Sequence, residues 1–405
     1  MKNILYLSYD GMTDPLGQSQ VLPYLAGLSK KGFRITLISF EKPDRYSEEK
    51  NKIEALCVEH NIHWKPLLYT KNPPVLSTIL DIRKMRKTAF ALHREKHFQL
   101  VHCRSYISAL VGLKLKQEKG VKFLFDMRGF WADERVEGKI WNLKNPLYKF
   151  IYSYFKKKER AYLEESDAIV SLTEIGKAEI LSWNLKNVTS DKIKVIPCCV
   201  DLQLFDPEKT DPDLVHKKKL EYQLNGKFVV GYVGSIGTWY QLREMLLAFK
   251  RITHLKPNAV FLFVTKEAPS IVHLEAKELG INSDSIRIVS VQHQKVPSFL
   301  ALFDCSIFFI RPSFSKKASS PTKQGEIMAM GIPLICNAGV GDTDEIVFRY
   351  SSGVVLKDTS EETLSAFSLD FTTFDRKKTM LGAREYFGLD RGVESYFDIY
   401  DKFAG

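Results

Sequence analysis

The sequence predicts an α/β protein made of two doubly wound parallel-sheet domains, and three observations predict it. Short β-branched and aromatic runs alternate with longer amphipathic stretches, the order of repeated βα units. The alternation breaks once, after Pro197, into Cys198-Cys199-Val200-Asp201, Phe205-Asp206-Pro207 and a charged stretch to Lys219, which reads as a linker. It then resumes, and 405 residues with 44% hydrophobic composition are enough for two cores.

Taken in order, strands are expected over 4–8, 34–40, 62–68, 99–103, 122–126, 168–172 and 194–197, then over 228–233, 260–264, 286–289, 306–310, 333–336 and 353–356. Amphipathic helices fill most of the gaps. The expected domains are 1–198 and 199–385, with a C-terminal helix over 386–405 packing back on the first. No short fixed period is present, which excludes a solenoid. Ligands of doubly wound sheets gather at the carboxyl ends of strands, so the chemistry should follow strands directly.

Composition narrows the function. Charged residues at 26% and aromatics at 12% exclude a disordered chain. Six cysteines without a CxxC pair fit reduced structural thiols, and no metal cluster or cofactor motif is evident. No apolar run approaches the ~20 residues a spanning helix needs. The opening Met1-Lys2-Asn3 before 4–8 is too short and polar for a signal peptide, so a cytoplasmic protein is expected. The net charge of +11 calls for an anionic partner. Segment 139–162 carries much of it: Lys139, Lys144, Lys149, Lys156, Lys157, Lys158 and Arg160 stand against Glu159, interleaved with Trp141, Leu147, Phe150, Tyr154 and other apolar residues. Such a segment reads either as a basic amphipathic helix on the inner face of an anionic membrane or as an ordinary domain helix with solvated lysines. No recognition motif accompanies it, so nucleic acid is not an expected partner.

Three segments carry chemistry. Asp10–Gln20 follows the first strand, where Gly17 would let a ligand approach and the amides opening the next helix would favour an anion. The second is Gly234-Ser235-Ile236-Gly237-Thr238-Trp239-Tyr240, after the strand 228–233 and before a helix from about Leu242, which suits a diphosphate cradled by main-chain amides. Trp239 and Tyr240 would stack on a flat ligand or pack on the neighbouring helix. The third runs from Ser319 to Pro333, with Ser320 and Thr322 opening a helix that bears Lys323 and Glu326 three residues apart, hence on one face. A cation beside phosphates and a carboxylate accepting from ribose hydroxyls would grip a nucleoside diphosphate. The plainer reading is an N-terminal capping box with an exposed ion pair.

The pairing of 234–240 with 320–333 and 337–346, together with Gly17-Gln18 and the Ile196-Pro197 stretch before Val200-Asp201, resembles the retaining glycosyltransferases of the GT-B fold, family 4 in particular. That resemblance spans nearly the whole chain. It implies two Rossmann-like domains facing a central cleft, a nucleotide-sugar donor, a glycan or lipid-linked glycan acceptor of surface polysaccharide synthesis, and transfer with retention. It assigns Glu326 to the donor ribose and Lys323 to the diphosphate. Gly234, Ser235 and Gly237 would line the phosphate pocket, the backbone about Val291 would meet the nucleobase, and Gly17 and Gln18 would face the donor phosphates. Residues 127–134 correspond to the acceptor-side loop, which makes Asp126 and Arg128 site candidates.

Departures from that pattern are equally specific. Where the family places a glutamate eight positions before Glu326, this chain has Ala318. Ser235 and Gln241 stand near the places of the usual Arg and Lys, and the acceptor loop lacks its histidine. The alternatives are therefore a nucleotide-sugar epimerase or phosphorylase of similar shape, and a catalytically silent nucleotide-sugar-binding protein.

Overall fold

In the computed structural model, which describes residues 2–404, the chain forms two compact units. The first comprises residues 1–197, 317–319 and 389–405; the second comprises 198–316 and 320–388.

The first unit holds a parallel sheet of seven strands: β1 (Lys2–Ser8), β2 (Phe33–Glu41), β3 (Ile62–Leu68), β4 (Leu100–Arg104), β5 (Lys122–Asp126), β6 (Ala168–Ser171) and β7 (Ile193–Val195), in the order β3-β2-β1-β4-β5-β6-β7. The second unit's sheet has six: β8 (Phe228–Val233), β9 (Ala259–Val264), β10 (Ile286–Val289), β11 (Cys305–Phe308), β12 (Leu334–Asn337) and β13 (Gly353–Leu356), in the order β10-β9-β8-β11-β12-β13. Every pairing in both sheets is parallel. Helices cover both faces of such sheets, which is why Ala259–Val264 is buried at each of its positions and reads as an unbroken apolar run.

Each sheet reverses its winding once, between β1 and β4 in the first and between β8 and β11 in the second. The crevice at such a reversal, beyond the carboxyl ends of the strands, is where doubly wound sheets hold ligands. The segments 9–14 and 234–240 each leave the strand at that point.

Two local expectations change. Helix Pro15–Gln20 starts inside the presumed glycine loop, so Gly17 and Gln18 lie on a helical turn. The basic helix runs over Pro146–Glu165 instead of from residue 139, because Asn145 caps it by accepting from Leu147 N at 2.9 Å and Pro146 fits the first helical position. The helix Leu389–Ala404 belongs to the first unit, packing on Pro-containing helix Leu22–Lys30 and on β1 and β4. No described helix is long and apolar enough to cross a membrane.

Candidate active site

The second unit brings the turn after β8 and the helix Thr322–Ala329 together. Gly234 has φ +110°, and a Cβ there would lie 3.1 Å from Lys323 Nζ. The left-handed backbone favours glycine, and a side chain there would also crowd the ammonium. Lys323 donates to Tyr232 Oη at 2.8 Å, and its Nζ lies 3.5 Å from the centre of the Tyr240 ring and 4.0 Å from that of Tyr232. Among the described residues no carboxylate comes within ion-pairing distance of it, although it is only 6% exposed. Burial therefore pulls the Lys323 pKa well below the usual lysine value, with the Glu326 charge opposing. Tyr240 thus faces the cation, while Trp239 has Lys316 Nζ 3.7 Å from its ring centre and Arg311 at 5.0 Å.

The capping-box reading of Lys323 and Glu326 does not hold. Pro321 stands at the N-cap without a side-chain cap bond, and Glu326 Oε1 instead lies 2.9 Å from His293 Nε2. Burial works against charge on His293, but the Glu326 bond and charge, with Asp201, hold its pKa above the usual histidine value. Ser320 Oγ accepts from Cys198 N at 3.2 Å. Thr322 is half-buried at the helix start, Ser235 and Gly237 are exposed on the turn, and Val291 is half-buried in the loop after β10. A Cβ on Gly237 would meet nothing within 4 Å, so that side of the turn is open.

In the first unit, two amides of the loop after β1 hold an internal anion. Met12 N and Thr13 N donate to the fully buried Glu41 carboxylate at 2.9 and 3.0 Å, and Thr13 Oγ1 donates at 2.7 Å. Gly17 is a glycine for its own turn, since a Cβ there would stand 2.2 Å from Gly11 O. Gln18 Nε2 turns inward to Thr13 O at 3.3 Å.

At the end of β5, Asp126 is 1% exposed, accepts from Tyr396 Oη at 3.0 Å, and lies 3.4 Å from His102 Nε2 and 3.9 Å from Arg128 Nη1. Burial pushes its pKa up, but Arg128, His102 and Arg104 together hold it below the usual carboxylate range. His102, whose Nδ1 lies 2.8 Å from Tyr400 Oη, is held below the usual histidine value, chiefly by burial. Arg128 has φ 55°, a conformation that costs a non-glycine residue about 1 kcal/mol or more and concentrates at functional sites. Asp126 lies beside Arg128 as a buried counter-charge; the guanidinium is the more accessible of the two, with 10% of its side chain exposed.

Ala318 is buried, 2% exposed, and packs against two glycines: a Cβ on Gly176 would come 2.9 Å from Ala318 Cβ, and one on Gly129 would lie 3.3 Å from Ala318 O. In the basic segment, Lys156 is not a solvated charge: it binds Asp133 Oδ2 at 2.8 Å and Glu159, which also accepts from Tyr106. The sequence reading missed His293, Tyr232, Arg311 and Lys316, all brought in through space with no spacing signal. Among the described residues no group of three or more His, Cys, Asp or Glu is placed to hold a metal ion.

Two family models match in tandem: "Glycosyltransferase Family 4" over residues 18–204 and "Glycosyl transferases group 1" over 216–378. No curated protein matches by sequence. Among solved structures, sucrose-phosphate synthase from Thermosynechococcus elongatus superposes with TM-score 0.75 at 16% identity, covering 99% of each chain. HepE from Anabaena, solved with UDP and glucose, gives TM-score 0.69 at 13% identity over 99% of this chain and all of its own. UDP-GlcNAc 2-epimerase from Neisseria meningitidis, bound to UDP-GlcNAc, gives 0.59 at 11% over 99% and 100%. At these identities the structural likeness speaks for the fold.

Proposed function

The chain belongs to the GT-B glycosyltransferases, and from that premise we propose that it transfers a sugar from a nucleoside-diphosphate donor, held by the second unit, to a glycan or lipid-linked glycan with retention of configuration. The observation that carries the proposal is the buried Lys323 ammonium beside the bare Cα of Gly234. A desolvated cation without a carboxylate is costly, and a diphosphate at the open side of the 234–240 turn would relieve it. As the glycosyl bond breaks, negative charge grows on the leaving phosphate, and Lys323 with the amides of Ser235 and Gly237 meets that charge. Glu326 accepts from the ribose hydroxyls, Ser320 and Thr322 border the same helix start, the Val291 backbone takes the base, and Trp239 and Tyr240 wall the pocket. In the first unit Arg128, charge-paired with Asp126, serves the acceptor side. Gln18, on the turn that Gly17 allows, is bonded through both ends of its carboxamide, to Thr13 O and to Lys52 Nζ, so those bonds would have to open before it could bind a ligand.

For a membrane-borne acceptor, the support is a second apolar stripe on the helix Pro146–Glu165. Leu147, Phe150 and Tyr154 are exposed, Phe150 at 69%, next to Lys149 and Lys157. Such a stripe would seat the first unit on an anionic bilayer.

A thermal-shift series with UDP-, GDP- and CMP-sugars tests the donor class, since a ligand that binds only the folded state raises the melting temperature. One nucleotide class should stabilise the protein, and adding an acceptor should then yield a product of retained anomeric configuration by NMR. No shift with any of the three refutes the donor site, and turnover of a nucleotide sugar without acceptor identifies an epimerase instead.

A further inference from the structure

Glu326 is already engaged before any nucleotide arrives. Its Oε1 is 2.9 Å from His293 Nε2, on the turn His293–Lys295 that follows β10. The carboxylate is 9% exposed and the imidazole 42%, so the histidine sits outside the carboxylate it binds. The ring leans on Phe205, with centroids 5.4 Å apart. Three charged groups face it from other elements: Glu326, Asp201 in the segment after Pro197, and Lys266 after β9; Lys295 shares its own turn. Glu326 and Asp201 outweigh Lys266 and favour the imidazolium. A ribose diol needs carboxylate lone pairs, and an imidazolium on Oε1 competes for them with a charge-assisted bond, roughly twice as strong as a neutral one.

We propose that His293 is a proton-operated latch on the nucleoside subsite: protonated, it holds the Glu326 carboxylate closed to the ribose, and on losing its proton it yields that carboxylate to the nucleotide. The inference rests on the reading of Glu326 as the ribose acceptor. Linkage sets the direction. Nucleotide draws Glu326 away from His293, which lowers the affinity of the imidazole for its proton, so binding releases a proton and tightens as pH rises through the titration of His293. That titration lies above the ordinary histidine value, because Glu326 and Asp201 outweigh burial. Lys323 acts oppositely, its depressed pKa favouring proton uptake when an anion binds. Comparing wild type with His293→Gln at each pH cancels the Lys323 contribution.

The experiment is calorimetry with UDP and with GDP on the full chain, from about pH 6 to about pH 8.5, in buffers of different ionisation enthalpy. For the nucleotide that binds, wild type relative to His293→Gln should gain about tenfold in affinity across that range, the equivalent of a shift of about one pKa unit. Near neutral pH the wild type should also release more protons than the variant. A variant that keeps the wild-type slope, or that loses affinity equally at every pH, overturns the latch. Glu326→Gln separates the two claims: if it abolishes tight binding while His293→Gln leaves the slope intact, the ribose reading stands and the latch falls; if it binds both nucleotides as wild type does, both fall. An NMR titration of the His293 ring in wild type, free and nucleotide-saturated, needs no variant, and a pKa that does not drop on binding also refutes the proposal.

Discussion

At the scale of the residue, Lys323 shows a side chain kept against the interest of stability. Among the described residues its ammonium has no carboxylate partner; it donates to Tyr232 Oη and lies over the rings of Tyr232 and Tyr240. Lys323→Met should therefore raise unfolding stability by about 1 kcal/mol while weakening nucleotide-diphosphate binding at least about tenfold. Urea denaturation and calorimetry read the two effects, and a variant both destabilised and tight-binding would contradict the assignment. Asp126 points the other way. Its folded pKa lies below the carboxylate norm, so it contributes stability above its unfolded value near 4 and loses that contribution as pH falls through the folded value. Asp126→Asn should cost about 3 kcal/mol at neutral pH, and the gap to wild type should narrow below about pH 4. Lys323 and Glu326 were legible in the sequence because three-residue spacing puts them on one helical face. His293 was not, because it reaches Glu326 across 33 positions with β11 between them, and no local pattern encodes that contact.

At the scale of the element, each strand expected from the sequence exists, with ends displaced by a few residues at most. Both sheets are parallel and covered, so their strands are apolar along nearly their whole length and announce themselves. Charge is read less well from pattern. The run Lys156-Lys157-Lys158 looks uniform, yet Lys156 turns in to Asp133 and Glu159 while Lys157 is exposed. The distinction sharpens the membrane test. Lys149→Glu with Lys157→Glu should lower binding to vesicles containing anionic lipid by about thirtyfold or more, at roughly 1 kcal/mol per lysine lost near the surface, and leave nucleotide affinity unchanged. Phe150→Ser should add to that loss without altering the melting temperature, because the ring is 69% exposed. Equal vesicle binding by sedimentation in all variants would remove the bilayer from the account. The loop 10–14 is the converse failure of pattern: a glycine-containing turn after a strand suggests an anion, and here the anion is the side chain of Glu41.

At the scale of the molecule, the first unit is assembled from distant parts of the chain. The helix Leu389–Ala404 supplies Tyr396 to Asp126 and Tyr400 to His102, and its Lys and Asp neighbours bind outward to the same unit, as in Lys2 with Asp401 at 2.7 Å. Deleting 389–405 leaves two buried polar groups without these partners and removes the aromatic contacts of Tyr396 with Tyr24 and Tyr400 with Phe33. The loss should be about 3 kcal/mol or more, concentrated in the first unit. Trp64, Trp131, Trp141 and Trp183 lie in that unit and Trp239 in the other, so a Trp239→Phe background lets fluorescence follow the first unit alone. An unchanged transition in the deleted protein would mean the helix contributes nothing.

That same helix has a consequence in time. A ribosome making this chain at roughly 5–20 residues per second completes β7 well before it reaches residue 389, so the first sheet waits on the order of ten seconds or more for its closing helix while the second unit is being synthesised. During that interval the pockets for Tyr396 and Tyr400 stand open, and the buried His102 and Asp126 face water. A nascent chain stalled anywhere in the second unit would lack this helix and leave exposed the surface of the first unit that it covers.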